Sequence, residues 1–331
     1  MSRRPTIMDV AAAAGVSVAT VSKAVNGRYG VASETVDRVL AVVADLGYES
    51  SLIASSMRSR RTGVIGVLVA DFEPFSAEIL KGVGQALSDS RYDLLAYAGS
   101  RGAAEGWERR SLSRLSGTLI DGAIMVTPTV VNVGTEVPVV AIDPHTGPAD
   151  LPTVESDSYG GALQATRHLI ELGHSRIGFI AGRRDLRSSI ARDAGYRRAL
   201  ADAGISVDPG LVGSGSYRQD AVRVAALEML RRTDRPTAIF AANDISALEI
   251  VKVAGELGLD VPGHLSIIGF DDVPEAAKAT PALSTVRQPM QTLGAEAARL
   301  LLTLMQGEVP PSTHIALPTR LVPRDTTAPP A

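Results

Sequence analysis

Residues 17–27 read "SVATVSKAVNG", and this short stretch decides how the front of the 331-residue chain is interpreted. The Ser17 hydroxyl can accept a hydrogen bond at a helix N-terminus, and Val21 and Val25 lie on one helical face at four-residue spacing. The following "NGRYG" ends the helix. The segment is therefore predicted to be a short helix with one narrow apolar face and one face of small polar groups.

Two further helices flank this segment. Thr6 can cap a first helix that runs to Gly15, with Asp9 reaching back to complete a capping box. Ser33 is expected to cap a third helix over residues 34–46, whose apolar stripe comprises Val36, Val39, Leu40 and Val43. Three short helices with a glycine-containing turn between the first two predict a helix-turn-helix unit. The alternative is an ordinary small helical bundle.

The polar face of the middle helix favours the helix-turn-helix. A helix that lies in the major groove must be thin on its exposed side, with hydroxyl and amide groups for phosphates and small apolar groups for thymine methyls. Lys23 stands where a long donor can hydrogen-bond a guanine. The residues offered for DNA contact are Ser17, Val18, Ala19, Thr20, Ser22, Lys23 and Asn26.

Charge is unevenly distributed along the chain. Residues 1–61 contain eight Lys and Arg residues against five Asp and Glu residues, a net charge of +3, whereas the whole chain carries −3. The remaining residues therefore carry −6, so only the front end is expected to meet nucleic acid.

Several function classes are disfavoured by composition. The chain has no cysteine, its five histidines lack metal-ligand spacing, and it has neither a phosphate-binding loop nor a Gly-x-Ser-x-Gly elbow. We expect no enzyme activity, no metal and no cofactor. No signal peptide and no membrane span are predicted, so a cytoplasmic location is expected.

Residues 50–61, "SSLIASSMRSRR", admit two interpretations. They form either a flexible linker or a hinge helix that folds on DNA and pushes Met57, beside the basic Arg58, into the minor groove.

From Thr62 onward, Val- and Ile-rich runs alternate with amphipathic segments, which predicts parallel sheets covered on both faces. Two such sets, about 62–158 and 160–285, predict two similar lobes. Polar residues follow the strands, where open α/β sheets bind ligands; they include Asp71, Asp143, Asn243 and Asp271.

The chain resembles the lactose/galactose repressor (LacI/GalR) family of bacterial transcription regulators. The stretches that carry the resemblance run nearly end to end and include "TIMDVAAAAGVSVATVSKAVNG", "RDAGYRRAL", "PTAIFAANDISALEI", "IIGFDD" and "LSTVRQPMQTLG". The resemblance implies an all-α helix-turn-helix headpiece (1–49), a hinge helix (50–61) and a two-lobed, doubly wound parallel-sheet core like periplasmic binding proteins (62–331). We expect the first lobe at about 62–159 and 288–317, and the second at about 160–287 and 318–331.

The family's functional positions fall on particular residues of this chain. Base-reading positions match Val18, Ala19 and Lys23; phosphate-contacting positions match Ser17, Thr20, Ser22 and Asn26, and Thr6 is included at the first helix. The hinge wedge, usually Leu, matches Met57, and the usual Pro-Asn before the hinge helix is here Ser50-Ser51. Effector-binding positions match Asp71, Phe75, Ser76, Arg192, Tyr217, Asn243 and Asp271.

The expected partners are a near-palindromic operator, a small sugar effector and a second copy of the chain, as a homodimer or a dimer of dimers. A guanidinium, a carboxylate and an aromatic face suit a pyranose. Structural alternatives exist, since Arg192 can pair with Asp193 or Asp220, and Asn243 can simply cap a helix. A nucleoside or purine effector and a solute-binding protein are the alternative functions. The resemblance implies that induction, in which the ligand releases DNA, is the commoner response; corepression also occurs, and the sequence does not show which applies.

Overall fold

The computed structural model of the protein describes residues 5–25, 30–46, 61–99, 106–129, 134–145 and 151–331. The chain divides into two compact units, Met1–Thr62 and Gly63–Ala331, which are taken in turn.

The first unit contains three helices, α1 (Ile7–Ala14), α2 (Val18–Val25) and α3 (Ser33–Leu46). The predicted capping box is present: the Asp9 N–H donates to Thr6 Oγ1 (3.4 Å), and the Thr6 N–H donates to Asp9 Oδ2 (2.7 Å). Gly15 ends α1 with a φ of +65°, a conformation that favours glycine. Helices α1 and α2 are bent by 100° relative to each other, which is the geometry of a helix-turn-helix.

The core of this unit is small and made of short side chains. Val10, Val21 and Val39 are fully buried, one from each helix. Leu40 was expected in the same stripe, but it is 46 % exposed, because it points about 100° around the helix from Val39. The prediction that Ser33 caps α3 is also wrong, since the Ala32 carbonyl accepts from the Val36 N–H and occupies the cap position. Most of the predicted hinge, residues 50–60, lies outside the described residues.

The second unit contains two parallel sheets, each at the centre of one lobe. The first sheet has six strands in the order β11-β5-β4-β3-β1-β2. These strands are β1 (Val64–Val69), β2 (Asp93–Ala98), β3 (Gly122–Val126), β4 (Val139–Ile142), β5 (Thr153–Ser156) and β11 (His314–Leu317). The second sheet has the order β7-β6-β8-β9. Its strands are β6 (Ile177–Ala181), β7 (Val212–Ser214), β8 (Ala238–Ala241) and β9 (Ser266–Ile268). A short antiparallel pair joins β10 (Thr285–Arg287) to β12 (Arg320–Val322).

Helices cover both sheets. They are α4 (Pro74–Leu87), α5 (Trp107–Leu115), α6 (Ser158–Glu171), α7 (Arg187–Asp202), α8 (Gln219–Leu230), α9 (Asp244–Glu256), α10 (Pro274–Lys278) and α11 (Met290–Met305). The central strands β1, β3, β4 and β8 are buried along their whole length, as two-sided coverage requires.

The chain passes between the lobes more than once. After β10, helix α11 returns to the first lobe and packs on α4. The two helix backbones approach closely through Gly82, where a Cβ atom would lie 1.9 Å from the Gln291 carbonyl oxygen. Strand β11 then joins the first sheet beside β5, and β12 returns to pair with β10. These crossings place the carboxyl ends of both sheets at one cleft.

Among the described residues, no single helix has the length and apolar composition needed to cross a bilayer; α1 and α2 satisfy that test only when taken together as a sharply bent pair.

Candidate functional site

The first candidate surface is the polar face of α2. Ser17, Val18, Ala19 and Lys23 are exposed, whereas Val21 and Ala24 on the opposite face are buried in the headpiece core. Val18 is 39 % exposed although it is a branched apolar residue. Because packing does not explain its position, an exposed Val at the start of α2 fits contact with another apolar group such as a thymine methyl.

Hydroxyl groups organise the start of α2. The Thr20 N–H donates to Ser17 Oγ (3.1 Å), as predicted for an N-cap, and the two hydroxyl groups are 2.9 Å apart. Thr20 and Ser22 are partly exposed, so both remain near the same surface. Three predicted DNA-contacting residues, Asn26, Met57 and Arg58, lie outside the described residues.

The second candidate site is a cavity between the two lobes of the second unit, whose empty space of about 610 Å³ includes open solvent. Residues that follow strands of both sheets line it, as expected for carboxyl ends of parallel strands. First-lobe residues in the wall include Glu73, Phe75, Thr127, Asp143 and His145; second-lobe residues include Ser188, Arg192, Tyr217, Asn243 and Asp271, and Gln288 lies on a segment that crosses between the lobes.

Backbone strain is concentrated at this cavity. Six described non-glycine residues have a positive φ, and four of them line the wall: Thr127 (50°), Asp143 (44°), Tyr217 (58°) and Asp271 (115°). Each such conformation costs about 1–3 kcal/mol and persists only where the surroundings enforce it. Such clustering of strained residues is typical of ligand-binding and active sites.

Arg192 is the central cation of the cleft. It projects from α7, is 4 % exposed, and stacks its guanidinium 3.8 Å from the centre of the Phe270 ring. Its Nη1 donates to the Ala242 carbonyl (2.5 Å) and lies 3.7 Å from Asp271 Oδ1. The alternative pairings of Arg192 with Asp193 or Asp220 are not the ones formed, since Asp193 binds Arg197 and Asp220 binds Arg218.

A chain of hydrogen bonds links the two lobes beneath the cavity. The Ser156 N–H at the end of β5 donates to Asp143 Oδ1 (2.9 Å), and the Ser156 hydroxyl donates to the Gln288 side-chain oxygen. The Gln288 amide nitrogen in turn donates to Asp271 Oδ1 (2.6 Å). The Asp143 carboxylate is therefore held by Ser156 at the end of β5, and the Asp271 carboxylate is held by Gln288 on a crossing segment.

Burial shifts the pKa values of the cavity's titratable groups. It raises the pKa of Asp143 to about 6, and the hydrogen bond from Ser156 opposes that rise. It raises the pKa of Asp271 to about 7, with Arg192 opposing and the Glu73 and Asp143 charges adding. It lowers the pKa of His145 to about 4, because a protonated ring would be desolvated and would face Arg183. His145 is thus neutral at pH 7.

Two polar atoms at the cavity are buried without a hydrogen-bond partner among the described residues, His145 Nδ1 and Tyr217 Oη. Ser188 and Ser189 lie near enough to lower the pKa of the Tyr217 phenol against the larger effect of burial, but neither is placed for a hydrogen bond. Leaving such groups unpaired costs about 1–3 kcal/mol each, so both are suited to a ligand that pairs with them.

The structure brings together five of the seven residues predicted for effector contact: Phe75, Arg192, Tyr217, Asn243 and Asp271. The Asn243 side-chain oxygen also caps α9 by accepting from the Ser246 N–H (3.0 Å). The other two lie outside the wall: the Asp71 carboxylate accepts from the Phe72 N–H, and Ser76 is buried within α4.

Several wall residues were not singled out as effector contacts from the sequence: Glu73, Thr127, His145, Ser188 and Gln288. Asp143 carried a usable signal, since it directly follows the apolar run of β4. His145 and Gln288 carried none, because only the folding of distant segments brings them to the cleft. Among the described residues, no group of three or more potential ligands could hold a metal ion.

Comparison with known proteins identifies relatives for both parts of the chain. Residues 6–51 match the family described as "Bacterial regulatory proteins, lacI family", and residues 166–327 match "Periplasmic binding protein-like domain". The HTH-type transcriptional regulator CelR of Thermobifida fusca is 34 % identical over 337 residues, which cover 98 % of this chain and 98 % of the relative. The chain belongs to the lacI family of bacterial regulatory proteins. As a member of that family it is a DNA-binding transcriptional regulator and not an enzyme.

Other lacI-family proteins show what the chain is similar to. The HTH-type transcriptional repressor PurR of Aliivibrio salmonicida (strain LFI1238) is 34 % identical over 310 residues, covering 90 % of this chain and 91 % of the relative. A solved complex of the transcriptional regulator CelR with cellobiose is 34 % identical, with a TM-score of 0.74, and covers 98 % of this chain and 100 % of that one. The lac repressor dimer bound to operator and the anti-inducer ONPF is 26 % identical, with a TM-score of 0.85 over 98 % and 100 % of the two chains.

Proposed function

We propose that the chain is a homodimeric transcriptional repressor whose affinity for a near-palindromic operator is controlled by a small sugar in the cleft between the two lobes. The observation that carries the effector half is the cavity itself, in which Arg192, Asp271, Asn243 and Tyr217 converge from four separate segments of the second lobe. A planar donor, a carboxylate, an amide and an aromatic ring are the groups that hydroxyl-rich rings pair with.

The DNA half of the proposal assigns a task to each exposed group of the headpiece. Val18, Ala19 and Lys23 read base edges in the major groove, because they are the exposed side chains of α2. Phosphate contacts are assigned to four hydroxyl groups and one amide. The hydroxyl groups are those of Thr6, Ser17, Thr20 and Ser22, and the amide is that of Asn26. The hinge segment places Met57, with Arg58 beside it, in the minor groove.

Dimer formation fits a two-fold operator. Two copies of α2 reach successive major grooves only when they lie about 34 Å apart, so the operator half-sites are expected one helical turn apart. The lac repressor that the chain resembles was solved as a dimer on its operator. We place the regulator in the cytoplasm, where bacterial DNA is accessible to it.

The effector proposal is tested by thermal melting of the purified protein against a panel of cellobiose, glucose, ribose, hypoxanthine and guanosine. A ligand at about 100 times its Kd adds about 2.7 kcal/mol to the stability of the native state. For a domain of this size that corresponds to a rise in Tm of about 5–10 °C. A rise with a sugar supports the proposal; a rise only with hypoxanthine or guanosine replaces the sugar.

The DNA proposal has an independent test. Selection from a random duplex library should enrich an inverted repeat, and fluorescence anisotropy with that duplex then measures affinity with and without the active ligand. Release of the duplex indicates induction and tighter binding indicates corepression. Enrichment of no sequence at all contradicts the assignment of α2 as the reading helix.

A purine or nucleoside effector is the second candidate. The observation that favours it is the 34 % identity to PurR, which equals the identity to CelR. The panel above separates the two candidates directly.

A further inference from the structure

The cavity between the lobes has an unusual charge balance. Three carboxylates line it, Glu73 and Asp143 from the first lobe and Asp271 from the second. Arg192 is the one Lys or Arg side chain among the described residues of the wall. At pH 7 His145 is neutral, Asp143 with its pKa of about 6 is mostly ionised, and Asp271 with its pKa of about 7 is about half ionised. The carboxylates of the wall therefore outweigh the single positive charge of Arg192.

The positive charge of Arg192 is already engaged within the protein. Its Nη1 donates to the Ala242 carbonyl and faces Asp271, its Nε is 3.4 Å from Ser158 Oγ, and its face lies on Phe270. An anionic ligand would have to compete with Asp271 for this guanidinium while approaching the other two carboxylates. Asp143 and Asp271 are buried whereas Glu73 is exposed, so the repulsion exceeds its value in water mainly near the two buried carboxylates.

Glu73 is the carboxylate in this set that no structural role explains. It stands at the N-cap position of α4, yet its side chain makes no capping hydrogen bond. Asp143 and Asp271, in contrast, each accept a hydrogen bond, Asp143 from the Ser156 N–H of β5 and Asp271 from the Gln288 side chain. The Glu73 charge contributes to the field at Asp271 in the opposite lobe, so it acts across the cavity.

A second feature of the wall points to a ligand that forms hydrogen bonds without carrying charge. His145 is 8 % exposed, lines the cavity, and its Nδ1 has no hydrogen-bond partner among the described residues. A neutral imidazole pairs with a hydroxyl group as donor or acceptor.

We infer that Glu73 is a specificity-determining residue of the cleft, which restricts the effector to uncharged, hydroxyl-rich ligands and rejects their phosphate esters. The inference rests on the proposed function in that it takes this cavity as the effector site. Neutral hydroxyl groups donate to the three carboxylates and pair with His145, whereas a phosphate brings about two further negative charges to the same wall.

The test compares each neutral compound with its own phosphate ester by isothermal titration calorimetry at low salt. The pairs are glucose with glucose 6-phosphate, ribose with ribose 5-phosphate, and guanosine with guanosine 5′-monophosphate; cellobiose is added as a neutral compound. For whichever pair binds, we expect the neutral member to bind at least tenfold more tightly. The ratio of the Kd of the phosphate ester to the Kd of the neutral compound should fall at least threefold in Glu73→Gln, and further in Glu73→Lys.

Matched controls use the same charge changes at a distance from the cleft. Glu308 is exposed in the segment after α11 and does not line the cavity, so Glu308→Gln and Glu308→Lys should leave the ratio unchanged. A ratio near one in the unmodified protein, or a ratio that neither Glu73 variant alters, overturns the inference.

The two proposals fail in different ways. A sugar that binds as tightly as its phosphate leaves the sugar-controlled regulator intact and overturns the role of Glu73. Binding of guanosine but not of guanosine 5′-monophosphate or any sugar overturns the sugar effector and supports the role of Glu73. Binding of no compound overturns both.

Discussion

Asp143 makes the stability of the protein depend on pH in a direction opposite to that of most carboxylates. Burial raises its pKa from the ordinary 3.8 to about 6, so the native state binds a proton that the unfolded chain has already released between those pH values. The stabilising contribution of the protonated form is fully present below about pH 4. It is lost as the pH rises through about 6.

The size of the effect follows from the two pKa values. Each pKa unit corresponds to about 1.36 kcal/mol, so the rise to about 6 corresponds to about 3 kcal/mol lost from the free energy of unfolding between pH 4 and pH 7.5. Asp143→Asn removes the titration while keeping an oxygen that can accept the Ser156 N–H. The variant should therefore lose less stability than the unmodified protein over that pH range, by up to about 3 kcal/mol.

Urea denaturation of both proteins at half-unit pH steps from 3.5 to 7.5 provides the measurement. Asp93→Asn is a suitable control, because Asp93 is exposed at the start of β2 and the substitution makes the same change in formal charge. Equal pH slopes for Asp143→Asn and the unmodified protein would show that Asp143 is not desolvated, and the explanation given for its raised pKa would be refuted.

Three further predictions concern the other parts of the molecule. Ala19→Tyr should change which operator sequence is selected without lowering Tm, since residue 19 is exposed; an unchanged selected sequence would remove it from the reading face. Arg192→Ala should keep operator affinity within about threefold but abolish the effector response in the anisotropy assay, and a normal response would contradict the cleft assignment. Gly82→Ala should destabilise the core by several kcal/mol in urea denaturation, because the new Cβ would lie 1.9 Å from the Gln291 carbonyl oxygen. Gly84→Ala is the control: no atom lies within 4 Å of the new Cβ, so this variant should be more stable by up to about 1 kcal/mol. Equal effects of the two substitutions would argue against close packing of α4 on α11.

Local sequence determined much of the headpiece. The capping box of Thr6 and Asp9, the Ser17 cap and the glycine that ends α1 depend on neighbours within four residues, and all are present as expected. Because these signals are local, they could not prevent the wrong predictions at Ser33 and Leu40. Periodicity places a residue on a helix, but the partner surface decides which side of that helix becomes buried.

The order of strands and helices in the core was also largely fixed by local patterning. Apolar Val- and Ile-rich runs separated by amphipathic segments suffice for a parallel α/β architecture, and polar residues after strands suffice to locate one ligand-binding edge. Asn243 and Asp271 could therefore be found before the structure. Arg192 lies within α7 and was found only through the resemblance to family signatures.

Only the tertiary structure decided which side chains share the cleft and with what charge. Gln288 reaches Asp271 and Ser156 because the chain crosses between the lobes there, and Ser156 is 132 residues away in sequence. The pKa values of Asp143 and His145 depend on how much water the folded lobes exclude, which no local pattern encodes. A sequence specifies contacts within a few residues through backbone geometry. Contacts between distant segments, and the desolvation they produce, exist only once the whole core has packed.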